Sequence, residues 1–196
     1  ADWINGKGAG QVFLFYGSPG TGKTLTVECI SQFTRQPLIS LTGADLDLGR
    51  GTENRLRHWF NLAILWDAHL LIDEADVFVE HRTPRDLERN AMVSVFLRTV
   101  EYFSGMLFLT TNRLGHIDTA IKSRIQVSIH FPDFDIHTRK ELWKKYFTKL
   151  RDEKSKAAPT GAVENSFFKH DVMKEEINGR DIRNGKNPRS LSIGRG

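Results

Sequence analysis

The sequence predicts an α/β fold in which a five-stranded, mainly parallel sheet lies between two layers of helices. Short apolar runs alternate with longer segments whose apolar residues recur at helical spacing, as is typical of a parallel sheet covered on both faces. A glycine-rich turn follows the first run and leads into a helical segment, and two carboxylates end the third run. We therefore expect a three-layer αβα sandwich with a ligand site beyond the carboxyl ends of its strands.

The predicted strands are short runs with β-branched and aromatic residues, at residues 12–16, 37–41, 69–73, 105–110 and 126–130. The predicted helices cover residues 23–34, 52–65, a segment after the N-cap candidate Asp86, and residues 135–150. Their predicted apolar faces carry Leu56, Trp59, Phe60 and Ile64, then Met92, Val93, Phe96, Val100 and Phe103, and finally Leu142, Trp143, Tyr146 and Phe147. We expect a polar linker over residues 151–160, weak helicity over 167–177 and disorder from residue 184 onward.

Composition excludes several classes of protein. The chain is 39% hydrophobic and 27% charged, as in ordinary globular proteins, and it holds no apolar run long enough to span a membrane. The single cysteine, Cys29, excludes an internal disulfide and favours a reducing, intracellular compartment that the sequence does not specify further. We expect Cys29 to be buried in its helix. The seven histidines form no HExxH pair and no Cys/His cluster, which argues against a structural metal site.

The positive charge is concentrated in the second part of the chain. Residues 135–196 contain 15 Lys and Arg against 9 Asp and Glu, whereas residues 1–134 contain 13 against 15. A basic segment can contact nucleic acid or acidic membranes. Because the acidic residues here are interspersed, a solvated helical surface is the favoured interpretation, and nucleic acid remains an unsupported partner.

Residues 17–24 read Gly-Ser-Pro-Gly-Thr-Gly-Lys-Thr and match the phosphate-binding pattern G-x-x-x-x-G-K-[ST]. Glycines let backbone N–H groups close around phosphate oxygens, and the following helix points the positive end of its dipole at them. A plain glycine-rich turn is the alternative, but the position between strand and helix favours a phosphate loop. We expect Lys23 to reach the β- and γ-phosphates of ATP, and Thr24 to bind Mg²⁺. The predicted nucleotide contacts from this segment are Ser18, Pro19, Gly20, Thr21, Gly22, Lys23, Thr24 and Leu25.

The acidic pair Asp73-Glu74 follows the apolar run Leu-Leu-Ile at the end of the third predicted strand. We expect Asp73 to hold Mg²⁺, through its water shell, and Glu74 to orient and polarise an attacking water. The alternative is a helix start, where acidic residues favour the dipole. The phosphate loop upstream makes the catalytic interpretation the stronger one.

The phosphate loop, the Asp-Glu-Ala-Asp segment at 73–76 and Leu-Thr-Thr-Asn-Arg at 109–113 occur in the order and spacing of AAA-type ATPases. The chain resembles this AAA+ family over residues 12–131 and more weakly to residue 184. Stretches 89–98 and 108–113 are most similar to filamentous-fungal AAA-domain proteins that have no assigned cellular role. The resemblance implies a P-loop NTPase domain at 1–133, a partial helical lid at 134–184 and a tail at 185–196.

Three further roles are implied by the resemblance. Asn112 is similar to the sensor that contacts the γ-phosphate or the attacking water, with a turn asparagine as the alternative. Arg124, in segment 118–124, is similar to the arginine finger that enters a neighbouring subunit's site, with a surface arginine as the alternative. Arg180 is similar to the lid arginine that contacts the phosphates, with an ordinary exposed arginine as the alternative. The resemblance also implies self-association into a ring, usually of six subunits, that remodels a macromolecular substrate, most often a protein.

The sequence departs from the family pattern in two places. Residues 42–51, where protein-threading rings carry an aromatic pore residue, contain no aromatic, and only Leu46 or Leu48 could replace it. About ten residues precede the first predicted strand, fewer than is usual, so we expect adenine contacts from elsewhere or from a longer chain. Two rival functions remain: a P-loop kinase and a nucleotide-gated scaffold or loader with little turnover. Glu74, Asn112 and Arg124 favour hydrolysis over transfer to a small molecule.

Overall fold

The computed structural model describes residues 10–42, 45–46, 51–79, 86–113, 117–152 and 179. In these ranges the strands are β1 (Gln11–Gly17), β2 (Leu38–Thr42), β3 (His69–Asp73), β4 (Met106–Thr111) and β5 (Val127–Phe131). The helices are α1 (Lys23–Thr34), α2 (Thr52–Leu65), α3 (Asp76–Val79), α4 (Leu87–Tyr102), α5 (Thr119–Lys122) and α6 (Ile136–Asp152). Every predicted strand lies within one residue of its observed bounds.

The five strands form one parallel sheet in the order β2-β3-β4-β1-β5. Because all the strands run the same way, their carboxyl ends share one edge, as the sequence predicts. The ends of β1, β3 and β4 are neighbours at that edge. Thr111 pairs with Tyr16, and Leu109 pairs with Ile72, which places the residues after Ile72 beside the end of β4.

Alternating side chains of the sheet pack against helices on its two faces. On one face, residues such as Leu14, Leu70 and Leu109 pack with α2, α3 and α4. On the other face, Phe15, Leu71 and Phe108 form a second cluster with Val27 of α1. This is the three-layer α/β arrangement that the sequence predicts. β5 is an edge strand, and four of its five residues are exposed.

The helix boundaries follow local capping. Asp86 accepts a hydrogen bond from the Arg89 N–H at 3.1 Å, which makes it the N-cap of α4 as predicted. The five residues predicted for the apolar face of α4 are all buried: Met92, Val93, Phe96, Val100 and Phe103. Asp135 accepts from the Thr138 N–H at 2.7 Å before α6, and this hydrogen bond holds the pKa of the carboxyl below its usual range.

Two expectations about burial are wrong, and one candidate pore residue lies in the core. In α2 the buried positions end at Ala63, so Ile64 lies beside that stripe and is 47% exposed. In α1 the buried positions are Lys23, Val27 and Ser31, which places Cys29 on the exposed side. Leu46 is fully buried in the core cluster and is not free to act as a pore residue. Leu48 lies outside the described residues.

The described residues form two compact units. One contains the chain to Gly17 and Lys23–Phe131, and the other contains Ser18–Gly22 and the chain from Pro132. In the second unit, α6 buries Trp143 and Phe147, two of the residues predicted for its apolar side. The other two, Leu142 and Tyr146, are half-buried. Over the described ranges, no helix has both the length and the apolar character needed to cross a membrane.

His69, the first residue of β3, is buried at the amino-terminal end of its strand, opposite the end that carries Asp73. Its Nε2 lies 2.8 Å from the Thr34 hydroxyl, and its ring packs edge-on against Phe108. Burial lowers the pKa of His69 below its ordinary value of 6.5, and nearby Asp67 opposes that effect in part. The neutral ring is therefore the form that the fold favours.

Candidate functional site

The glycine-rich loop that joins β1 to α1 has the backbone conformation that its glycines allow. Gly20 has φ +78° and Gly22 has φ +99°, values that other residues rarely adopt. Within the loop, the Thr21 hydroxyl donates to the Ser18 carbonyl at 2.9 Å. Ser18 and Gly20 are half-buried and Pro19 is exposed. The sequence has thus formed the turn that the phosphate-binding pattern requires.

Gly17 is required by the sheet as well as by the loop. It is the last residue of β1, has φ +149° and pairs with Phe131 of β5. A Cβ atom at this position would lie 2.1 Å from the Phe131 carbonyl oxygen. Any side chain here would therefore clash with backbone, so only glycine lets β5 pair at the end of β1.

α1 begins at Lys23, whose side chain is 6% exposed and folds back so that Nζ donates to the Gly17 carbonyl at 2.8 Å. A buried ammonium is costly unless it has a partner, so this contact stabilises the side chain at the loop. Leu25, also predicted to contact nucleotide, is 46% exposed in the first turn. The Lys23 side chain therefore lies against the last residue of β1, and its contact with phosphate stays a prediction.

Thr24 and Asp73 are in direct contact, although 49 residues separate them in the chain. The Thr24 hydroxyl donates to both carboxylate oxygens of Asp73, at 3.0 and 3.1 Å. These two residues, both predicted to bind Mg²⁺, come from the start of α1 and the end of β3. The contact joins the phosphate-loop helix to the acidic strand end.

A pair of threonines at the end of β4 completes this edge of the sheet. Thr110 donates its hydroxyl hydrogen to Asp73, and Thr111 donates to Asp76. Both threonines are 1% exposed. Sequence reasoning missed them because Thr-Thr also fits an ordinary strand. The available signal was their place directly before Asn112, on the strand next to the acidic one.

Glu74 and Asn112 follow β3 and β4 at the same edge. Glu74 is exposed and has the positive φ of +54°, and Asn112 is half-buried. The strand order places Glu74 and Asn112 at neighbouring strand ends, and the hydrogen bond between Thr24 and Asp73 adds Thr24 to this group, which the sequence placed in one site. Their parts in chemistry remain predictions.

Arg124 contacts residues of its own chain away from the carboxyl ends of the strands. Its guanidinium donates to the Ala120 carbonyl at 2.9 Å and lies 3.3 Å from a carboxylate oxygen of Glu101, at the end of α4. The Nε atom is buried with no hydrogen-bond partner among the described residues. Sequence reasoning did not foresee Glu101, because a single acidic residue near a helix end carries no signal of its partner.

The lid residue Arg180 lies outside the described residues. Its neighbour Gly179 donates its N–H to the Gly20 carbonyl at 3.1 Å. A Cβ on Gly179 would lie 2.7 Å from that oxygen, so the approach requires glycine. The backbone next to Arg180 therefore contacts the phosphate loop within the second compact unit.

The chemistry of the donors suits Mg²⁺. The Thr24 hydroxyl and the Asp73 carboxylate are hard oxygen ligands, and Mg²⁺ commonly takes one or two carboxylates together with waters and substrate phosphates. The described residues contain no group of three or more His, Cys, Asp and Glu that could enclose a metal. The Thr24 and Asp73 oxygens therefore fit an ion that is held together with a phosphate.

The parallel sheet, the glycine loop and the Lys23–Thr24 helix start define an α/β protein with the P-loop nucleotide-binding fold. Residues 13–133 match the ATPase family associated with various cellular activities (AAA), and residues 134–189 match the fungal AAA+ ATPase lid domain. The chain belongs to the AAA family. Membership supports nucleotide binding and ATPase activity, and the lid match agrees with the fungal resemblance.

Individual relatives agree with this assignment. ATPase family AAA domain-containing protein 3-B of Xenopus laevis is 33% identical over 150 residues, which cover 73% of this chain and 25% of the relative. ATPase family AAA domain-containing protein 3B of Homo sapiens is 31% identical over 148 residues, which cover 72% of this chain and 23% of the relative. The chain thus spans about a quarter of the length of these relatives.

A solved structure supports the fold alone. The crystal structure of the FIGL-1 AAA domain in complex with ADP superposes with a TM-score of 0.67 at 18% identity. The match covers 88% of this chain and 57% of that one.

Proposed function

We propose that this chain is the Mg²⁺-dependent ATP-hydrolysing core of a ring-forming AAA ATPase that remodels a macromolecular partner, most simply a protein. The observation that carries the proposal is the Thr24–Asp73 contact, which joins the phosphate-loop helix to the acidic strand end. A glycine turn by itself would not need a carboxylate and a hydroxyl at this distance. Residues 1–133 form the nucleotide-binding domain in this proposal, 134–184 a lid and 185–196 a tail.

Each residue at the strand ends has a defined part in the proposed hydrolysis. Lys23 leaves the Gly17 carbonyl and binds phosphate oxygens, and Thr24 and Asp73 hold Mg²⁺, which supplies positive charge to the phosphate oxygens when bound. Glu74 orients the attacking water and accepts its proton, and Asn112 hydrogen-bonds the water or the γ-phosphate. Positioning and charge stabilisation then account for most of the acceleration.

In this proposal, assembly into a ring brings a further positive charge, that of Arg124, to the hydrolysis site. Arg124 reaches the site of a neighbouring subunit, which explains why a ring is needed. Within its own subunit, Arg124 is bound to Glu101 and to the Ala120 carbonyl. Its charge therefore does not act at the site that holds Asp73 and Glu74 of the same subunit. Arg180 approaches the phosphates from the lid, next to the Gly179–Gly20 contact.

A second candidate is a nucleotide-gated scaffold that binds ATP and assembles but turns over slowly. The intramolecular Arg124–Glu101 pair favours it, because a finger that stays paired would leave hydrolysis weak. The buried Leu46 also favours it, because a buried residue cannot grip a threaded chain.

The experiment measures ATP hydrolysis and light scattering on the same samples over a range of protein concentrations, with and without Mg²⁺. We expect the specific activity to rise with assembly, to need Mg²⁺ and to be lost in Glu74→Gln. ATP binding with assembly but no turnover would replace the hydrolase with the scaffold. Turnover that is independent of concentration would refute the need for a neighbouring subunit.

A further inference from the structure

Thr110, the fifth residue of the six-residue strand β4, makes three hydrogen bonds to the segment that ends β3. Its hydroxyl donates to Asp73 and accepts from the Glu74 N–H, the second at 3.0 Å. Its carbonyl accepts from the Ala75 N–H at 2.8 Å. Thr110 therefore binds three successive residues of the acidic segment.

These bonds lie beyond the regular pairing of the two strands, which ends at Ile72 and Leu109. They hold the backbone where Glu74 takes a φ of +54°, a left-handed conformation that is unfavourable for a residue with a side chain. Such a conformation persists only where its surroundings fix it. The N–H groups on both sides of the Glu74 Cα atom are bound by Thr110, so Thr110 fixes the direction in which the Glu74 side chain leaves the backbone.

A hydroxyl is the group that this position requires. It must donate to a carboxylate and accept from an N–H at the same time, and Ser and Thr can do both with one atom. Thr110 is 1% exposed, so a lost partner here could not be replaced readily by water. Valine has almost the same shape and would leave the Glu74 N–H and one Asp73 oxygen without this partner, while the carbonyl bond to Ala75 would remain.

We propose that Thr110 is a positioning residue for the acidic pair. Its hydroxyl orients the Asp73 carboxylate and holds Glu74 in the left-handed conformation from which its carboxylate faces the attacking water. This inference rests on the proposed function, because it assigns Thr110 a part in the same hydrolysis.

The test compares Thr110→Val with Thr110→Ser, using Thr99→Val as a matched control. The Thr99 hydroxyl donates to the Val95 carbonyl within α4, so its removal costs a similar bond away from the acidic pair. For Thr110→Val we expect kcat to fall on the order of 10- to 100-fold, as for other residues that orient ligands. The KM for ATP should change by less than about 3-fold, because Lys23 and the loop remain intact. A higher Mg²⁺ concentration should be needed for half-maximal activity.

Two readouts separate positioning from a general structural effect. Thr110→Ser should recover kcat to within a few-fold of wild type, since the hydroxyl returns. Amide hydrogen exchange should speed up at Glu74 in Thr110→Val, while Ala75, bound by the carbonyl, stays protected. Thermal melting verifies that each variant folds, and Thr110→Ala replaces the valine variant if that one does not.

The outcomes are distinct from those of the proposed function. Wild-type hydrolysis with an unchanged kcat in Thr110→Val overturns the positioning role and leaves the ATPase in place. Equal losses in the valine and serine variants, or loss of ATP binding together with kcat, overturn it as well. An inactive wild type overturns the proposed function. In that case the exchange at Glu74 decides only whether Thr110 orders the acidic segment: faster exchange in Thr110→Val supports that ordering, and unchanged exchange refutes it.

Discussion

The pair formed by Arg124 and Glu101 allows the finger hypothesis to be tested with two opposed substitutions. Arg124→Ala removes the charge proposed to act on the neighbouring site, whereas Glu101→Gln keeps that charge and weakens its hold within the subunit. The guanidinium and the carboxylate are 3.3 Å apart, and their side chains are 30% and 36% exposed. The two variants should therefore move ATP hydrolysis in opposite directions if Arg124 acts in trans.

The exposure of the Arg124–Glu101 pair limits how strongly Glu101→Gln can change ATP hydrolysis. A half-exposed ion pair is screened by solvent and contributes about 0.2–1 kcal/mol. This energy corresponds to a factor of about 1.4 to 5 in the equilibrium that frees Arg124, so Glu101→Gln should raise activity at a fixed subunit concentration by no more than about 5-fold. Arg124→Ala should lower kcat on the order of 10³- to 10⁵-fold, as loss of an arginine finger does in other nucleotide hydrolases.

The assay is steady-state ATP hydrolysis against subunit concentration, with nucleotide affinity measured by a fluorescent ADP analogue. Both variants should bind nucleotide normally. Glu53→Gln, which disrupts an exposed pair with Arg57, is the matched control and should leave activity unchanged. Near-normal turnover in Arg124→Ala would show that the residue only fixes the segment after α5. Loss of turnover in Glu101→Gln would show that the pair supports the active structure rather than restrains it.

Three further results are expected. Lys23→Ala should weaken nucleotide binding about 10- to 100-fold through loss of charged hydrogen bonds, whereas Lys144→Ala should not; equal affinities in calorimetry would refute the role of Lys23. Glu74→Gln should keep ATP bound but lower turnover on the order of 10²- to 10⁴-fold, and a near-normal kcat would remove Glu74 from the mechanism. The lowered pKa of His69 means that the unfolded chain binds a proton more readily as pH falls below 6.5, so stability should fall there. Denaturant unfolding of His69→Gln should show a weaker decline in stability as the pH falls below 6.5 than wild type does, and identical slopes would contradict this reasoning.

The parts of the fold that the sequence predicts well are those that depend on local chemistry. The strands lie within one residue of their predicted bounds, because each is a short apolar run closed by polar or turn residues. The α4 helix follows from the Asp86 cap and a regular apolar spacing. The phosphate loop was recognised because its residue types occur at fixed offsets within a strand, turn and helix. The role of Asp73 stays a prediction.

The features that the sequence did not predict depend on contacts between distant segments. Thr110 and Glu101 matter through partners 37 and 23 residues away, and no local pattern marks either residue. Leu46 was one of two residues considered as a substitute for the missing pore aromatic, because its loop was compared with a motif, yet its side chain is buried in the core. Ile64 has the helical spacing of a core residue, but the buried side of α2 contains Ala63, and Ile64 lies beside it.

The clash that a side chain at Gly17 would make with Phe131 changes how the phosphate-binding pattern is to be understood. The first residue of the pattern is required for the pairing of β5 as well as for the loop. In a library selected only for folded, soluble protein, position 17 should stay glycine while Lys23 is free to vary. A descendant that had lost nucleotide binding would still keep glycine at position 17. A partial match to the pattern can therefore indicate the fold without indicating activity.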